Sequence, residues 1–305
     1  MNPVHPSPVL IVGSMAFDDL ELPSGEFENV VGGAATYSAL ATTLFTKARL
    51  VAVVGDDFPA SVLEDLEQRG SDTGGVQRAP GKTFRWRGRY AANLASRETL
   101  DTQLNVFADF QPHLPAHYKK TPYVLLGNIH PELQARVLDQ LDETRLVAAD
   151  TMNYWITSER PALTRLLSRV DTLIINDEEL RQLAEDHNLK RGAQRVLKMG
   201  PTRLVVKRGD AGAMLFDGDQ VFFAPALPLQ DEVDPTGAGD TFAGAVVGYL
   251  AREGSLAPNV LRQALLIGAA TASFCVEGVG NTRLRNLTAG AIASRLDELK
   301  QMLLC

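Results

Sequence analysis

The stretch Asp234-Pro235-Thr236-Gly237-Ala238-Gly239-Asp240-Thr241-Phe242-Ala243-Gly244 gathers residue types that phosphoryl chemistry needs. Pro235 biases Asp234 away from helix. Gly237 and Gly239 let the backbone approach a ligand closely. A helical pattern over residues 236–252 follows at once. Its unpaired N–H groups and positive dipole end suit a phosphate, or charge building on a transferring phosphoryl group. Asp240 reads in two ways. As a first-turn acid it complements the helix dipole by about 0.3–1 kcal/mol. Beside an anion hole it is also placed to take a proton from an attacking hydroxyl. Phosphoryl transfer rests mainly on positioning and electrostatic stabilisation, so base and anion hole make a sufficient core. Gly244 and Gly248 have the spacing of close helix packing rather than of chemistry.

Further polar residues end apolar runs. Asp18, Asp56, Asn128, Asp150, Asn176 and Lys207 lie at or just beyond the carboxyl ends of expected strands, where ligands bind in open α/β sheets. Asp56 and Asp57 read better as turn formers. Asp18 can accept bonds from polyol hydroxyls or simply shape a turn. Gly32-Gly33 before a helix permits close backbone contact or only forms the loop. Asn176 and Glu179 have the spacing of an N-cap and a first-turn acid. A lone Glu is also adequate for Mg²⁺ shared with phosphates, because such sites use few carboxylates and several waters. Lys207 can serve phosphates as a point charge.

The elements that must position these groups alternate. Apolar runs at 9–17, 50–55, 123–128, 146–150, 172–176 and 204–208 suit strands buried on both faces. Helical patterns at 35–45, 59–68, 131–141, 158–167, 178–187 and 191–198 lie between them. The pattern predicts a doubly wound α/β fold whose mainly parallel sheet is flanked by helices. A hairpin follows at 212–217 and 220–226, then helices at 236–252, 258–276 and 288–304. Segments 18–31 and 82–109 break the alternation and read as a small β lid of exposed antiparallel strands, or as ordinary surface hairpins. The expected organisation is one domain over 1–305 carrying that lid.

Composition narrows the classes. With 30 Lys+Arg against 37 Asp+Glu, a net charge of −7 and no basic runs, no nucleic-acid partner is expected. Two cysteines, Cys275 and Cys305, give no disulfide framework or CxxC metal site. Cys275 reads as an inert core thiol. Uninterrupted apolar runs such as Val9–Val12 fall short of the roughly 18–20 residues of a membrane span. The first residues show no charged segment before the apolar run, so a cytoplasmic protein without a membrane partner is expected. Gly81-Lys82-Thr83 lacks both the spacing and the preceding strand of a P-loop. The five histidines, His5, His113, His117, His130 and His187, read as surface residues.

DPTGAGDTFAG resembles the C-terminal signature of the ribokinase-like (PfkB) carbohydrate kinases. The resemblance places Asp240 on that family's catalytic base and Gly237, Ala238 and Gly239 on its anion hole. Gly13-Ser14-Met15-Ala16-Phe17-Asp18 is similar to its first strand, whose acid binds substrate hydroxyls. Gly32-Gly33 is similar to its substrate-holding Gly-Gly pair. Asn176-Asp177-Glu178-Glu179 matches its Asn-x-x-Glu motif, linked to magnesium and phosphate. Lys207-Arg208-Gly209-Asp210-Ala211-Gly212 resembles the turn lining the nucleotide phosphates, where Lys207, Gly209, Gly212 and Thr236 would meet ATP. The order of these landmarks runs from residue 9 to about 283. The resemblance therefore implies an ATP- and Mg²⁺-dependent kinase, with a K⁺ loop that Asp234 and Thr236 fit in part. Tyr37 stands where many members carry a sugar-binding Asn, which leaves ribose-type sugars, nucleosides, polyols and sugar acids open. Asn128 and Asn153 are further pocket candidates. In the lid, Trp86, Arg87, Arg89 and Tyr90 could stack on a base, pair with an acidic group, or form a sheet or homodimer contact. The expected reaction is phosphorylation of a sugar-like hydroxyl. The alternatives are a nucleoside kinase, or a non-catalytic sugar- or nucleotide-sensing module.

Overall fold

The computed structural model describes residues 6–303, so His5, Leu304 and Cys305 lie outside the described residues. Nine strands form the main sheet in the order β13-β12-β11-β10-β9-β8-β1-β4-β5. Its parallel part comprises β1 (Val9–Val12), β4 (Ala48–Val54), β5 (Ser71–Arg78), β8 (Tyr123–Leu126), β9 (Leu146–Ala149), β10 (Thr172–Asn176) and β11 (Arg203–Lys207). The hairpin β12 (Ala213–Asp217) and β13 (Gln220–Ala224) extends it antiparallel, as the turn at Gly218-Asp219 predicts. The core strands read VLIV, YVLL and LVAA and are buried along their whole length. Apolar layers cover both faces, one including helices α8 (Ala238–Glu253) and α9 (Pro258–Val276) and the other α5 (Arg160–Leu167) and α6 (Asp177–Ala184). Strand order reverses beside β1, which pairs with β4 on one side and β8 on the other. That reversal opens a crevice at the carboxyl ends.

The second sheet has four strands, ordered β3-β2-β6-β7. They are β2 (Ala16–Leu22), β3 (Gly25–Gly32), β6 (Phe84–Tyr90) and β7 (Arg97–Gln103). Both off-pattern segments thus become strands of one sheet. The expected antiparallel arrangement holds for β2–β3 and β6–β7, but β2 and β6 run parallel. The single strand expected over 9–17 is two strands in two sheets, because the chain turns off the main sheet at Gly13-Ser14-Met15. The helix expected over 158–167 is α5, which follows a separate short helix α4 (Asn153–Ser158). The polar edge strand β5 has no counterpart among the expected strands. Its sequence, SDTGGVQR, lacks an apolar run because it packs only part of its surface.

Helix α9 corrects the membrane argument. Its 19 residues reach a mean hydropathy of 1.3 without forming one uninterrupted apolar run, so by length and composition it could cross a membrane. In the fold, Leu261, Leu265, Ile267 and Ala270 join the core cluster. Helix α1 (Ala34–Thr42) crosses α8 at the two glycines read as packing positions. A Cβ on Gly244 would strike the Ser38 carbonyl, and one on Gly248 would come within 3.0 Å of Thr42 Cα. The Thr42 hydroxyl donates to the Gly244 carbonyl at 2.9 Å, fixing the head of α8 against α1.

Candidate active site

Helix α8 begins with Gly237 at φ 76°, a left-handed conformation that glycine adopts without strain. A side chain there would also collide with the Tyr37 ring. Tyr37 is 1% exposed, and its buried hydroxyl has no hydrogen-bond partner. The structure therefore corrects its expected place at the substrate. The ring is a floor under the glycine turn, where an Asn could not fill the same volume. The turn is braced by Asp234, whose carboxylate accepts from Thr236 N–H at 2.9 Å and Gly280 N–H at 2.7 Å. Burial raises the Asp234 pKa. The Thr236 hydroxyl donates to Tyr90 Oη at 2.9 Å, tying the small sheet to this loop. Cys275 is a buried core thiol, pushed up to about 12 by burial, and its Sγ donates to the Thr236 carbonyl.

Asp240 sits in the first turn of α8. Burial, then the charge of Asp150, pushes it up to about 6. Lys207, at the end of β11, lies against the same turn: a Cβ on Gly239 would be 3.0 Å from its Nζ. Its ammonium donates to Asp150 Oδ2 at 3.0 Å. Burial opposes the lysine's charge, but Asp150, Glu179 and Asp240 outweigh it and raise its pKa. On the neighbouring strand end, Asn176 and Glu179 form a reciprocal capping box with both bonds at 2.7 Å. Burial first, and then Asp150, lifts Glu179 to about 7. The Asn-x-x-Glu pair is thus both a cap and a buried acid beside the lysine. Asp150 joins these groups, yet sequence reading marked it only as one more polar strand end.

Asp18 stands on β2 over Gly32 of β3, and any side chain at Gly32 would occupy its carboxylate. Burial, followed by Asp234 and Asp240, pushes Asp18 up to about 8. Gly33, at φ 92°, turns the chain into α1 against the Ser14 carbonyl, which accepts from Ala35 N–H at 2.9 Å. Asn128 accepts from Trp155 Nε1 at 3.0 Å and donates to Met152 Sδ at 3.2 Å, so its amide is oriented by neighbours. Asn153 begins α4 beside them. Gly209 lies in the short 3-10 turn after β11, and Gly212 closes it, its carbonyl accepting from Arg208 N–H at 2.8 Å.

The strand alternation sorts the small sheet's arginines. Arg85 pairs with Asp19 at 2.9 Å, while Arg87 and Arg89 share Glu21 at 2.7 and 2.6 Å. These pairs lie on one face. Leu20, Leu22, Trp86 and Tyr90 cluster on the other, with Phe27 and Val30 against them. Of the four lid residues, only Trp86 and Tyr90 face the crevice. Asp57 and Thr83 are structural: Thr83 N–H donates to Asp57 Oδ1 at 2.7 Å, which explains the P-loop lookalike. Asp56 likewise accepts from Gly81 N–H at 3.0 Å. His117 pairs with Asp72 at an exposed position.

The residues fit a phosphate-bearing nucleotide and a metal shared with it. The open glycine turn offers N–H donors, and Lys207 offers charge. Glu179 and Asp150 offer hard oxygen ligands of the kind Mg²⁺ takes. Comparison with known proteins agrees. The description "pfkB family carbohydrate kinase" matches residues 9–286. A cytidine kinase of Thermococcus kodakarensis is 30% identical over 248 residues, covering 80% of this chain and 87% of its own. The Methanocaldococcus jannaschii nucleoside kinase structure superposes with a TM-score of 0.75 at 20% identity, covering 97% of this chain and 100% of its own. The Salmonella enterica aminoimidazole riboside kinase, in complex with aminoimidazole riboside and an ATP analogue, gives 0.74 at 19% identity over 95% and 99%.

Proposed function

Because the chain belongs to the pfkB family of carbohydrate kinases and is an ATP-dependent kinase, we propose that it phosphorylates a hydroxyl of a nucleoside, with Asp240 as the general base. The observation that carries this reading is the half-buried Asp240 carboxylate at the head of α8, one turn from the Gly237 turn and within the field of Lys207. A base held near pH 6 is ionised at neutral pH and still basic enough to accept a proton in flight. ATP and Mg²⁺ supply the phosphoryl donor and its charge neutralisation.

The chain's own groups divide the work. Asp18 holds acceptor hydroxyls over Gly32-Gly33. The backbone amides at Gly237 and Gly239 receive charge on the γ-phosphoryl oxygens, whereas the Ala238 N–H of the same turn already donates to the Pro235 carbonyl at 3.2 Å. Lys207, Asn176, Gly209, Gly212 and Thr236 line the nucleotide side, and Glu179 takes Mg²⁺ through water. The small sheet acts as a lid that excludes water. Asp234 would share its carboxylate between a K⁺ ion and the two N–H groups it already binds.

A nucleoside is preferred to a free sugar for two reasons. One relative matched over most of its length is a cytidine kinase. The inner face of the lid also carries the half-buried Trp86 ring over a buried cluster of Leu20, Leu22 and Tyr90, which suits a flat base better than a polyol. Measuring ADP release against nucleosides, ribose, hexoses and polyols tests this. Turnover on sugars with none on nucleosides would refute the nucleoside, and no ADP with any acceptor would refute the kinase reading.

A further inference from the structure

The lid's arginines are not equivalent, and one of them faces the reaction. In an antiparallel pair, residues directly opposite project from the same face. Arg97 of β7 lies opposite Tyr90 of β6, and Tyr90 reaches Thr236 in the anion-hole loop. The Arg97 guanidinium also lies over the Trp86 ring, 5.6 Å from its centroid, on that same face. Trp86 can lie flat there because the next crevice-facing position on its strand is Gly88, where any Cβ would collide with the indole. Thr99, opposite Gly88, accepts the indole N–H at 3.2 Å. Arg97 is therefore held against the Trp86 ring by a cation–π contact, and its side chain stays exposed beside Tyr90. Among the described residues no carboxylate lies within ion-pair distance of it. Arg85, Arg87 and Arg89 on the opposite face are each paired with acids.

Resting on the kinase reading above, we infer that Arg97 is a catalytic residue, donating from the lid to the phosphoryl group as it passes from ATP to the acceptor. Its position between both halves of the site supports this. Its charge lowers the pKa of Asp18 on the acceptor side and of Asp240 and Glu179 on the nucleotide side. In the transfer, the acceptor oxygen bonds to the γ-phosphorus and its proton passes to Asp240. The bond from that phosphorus to the bridging oxygen breaks, and its electron pair leaves on ADP. Arg97 gains and loses no proton. Its N–H groups stabilise the equatorial oxygens whose charge must be balanced in flight. Two lid features bring it there: the Tyr90–Thr236 bond and the Trp86 platform.

The test is steady-state kinetics of the full chain with Mg·ATP and its best acceptor, comparing wild type, Arg97→Ala, Arg97→Lys and Arg87→Ala. Arg97→Ala should lose about 10²-fold or more in kcat, with both KM values within about threefold. Arg97→Lys should recover only part, because a point charge cannot replace the planar fork. Added guanidinium should restore part of the Arg97→Ala turnover, which a purely structural role would not allow. Arg87→Ala, on the outer face, should match wild type. A kcat for Arg97→Ala within about threefold of wild type, or a loss confined to acceptor KM, overturns the inference while leaving the kinase reading intact. Wild type that releases no ADP with any acceptor overturns both.

Discussion

Replacing Asp240 by Asn should stop the reaction and strengthen the fold. The carboxylate is held at about 6 against an ordinary 3.8, chiefly by burial and then by Asp150. At 1.36 kcal/mol per unit, keeping it ionised costs the apo-protein roughly 3 kcal/mol. The folded value is raised, so this cost is complete above the folded pKa of about 6 and vanishes below 3.8. Asn has the same shape and no charge to desolvate, and Lys207 keeps Asp150 as its partner. Apo Asp240→Asn should therefore be about 3 kcal/mol more stable at about pH 8, the gain shrinking to about 1 near pH 4.5. For a chain of this size the larger figure corresponds to a rise of roughly 5 °C in Tm. Turnover should fall by about 10²–10⁴. Urea unfolding of both apo-proteins at the two pH values, with ADP release alongside, checks the whole argument. A variant less stable than wild type at the higher pH, or a gain independent of pH, would show that Asp240 is not a desolvated carboxylate.

The acid limb of kcat/KM should bend near pH 6, where Asp240 takes up its proton, and a profile flat to about pH 5 would remove it as the base. Tyr37→Phe discards a buried hydroxyl without a partner, so stability should hold or rise by about 1 kcal/mol with acceptor KM unchanged; a tenfold higher KM would return Tyr37 to the substrate. Gly237→Ala drives a methyl into the Tyr37 ring at a left-handed turn, and both Tm and kcat should drop, whereas wild-type kcat would show that the turn is not the anion hole. Replacing K⁺ by Na⁺ should lower turnover if Asp234 holds a cation, and equal rates would discard that site.

The backbone of this account is local chemistry. Apolar runs without polar alternation marked buried parallel strands, and their polar ends marked the rim of the crevice. Proline and glycines before a helix marked the candidate anion hole, and Asn176 with Glu179 marked a helix cap with a first-turn acid, which the structure closes into a capping box. All of these are legible because a strand's burial, a turn's backbone and a helix's first turn depend on a few consecutive residues. Other features needed the assembled chain. Ser71–Arg78 is a strand only because β4 offers it an edge. Tyr37 holds an expected substrate position in the sequence, yet α1 buries it under a turn 200 residues away. Asp150 becomes central only when β9 sets it beside β11 and α6. Nothing local separates Arg97 from Arg85, Arg87 or Arg89, because which face a strand residue occupies depends on pairing and bulges between distant segments. Sequence by itself marked the candidate parts of the site. Tertiary structure decided which charges face one another, since burial and proximity between distant residues arise only on folding.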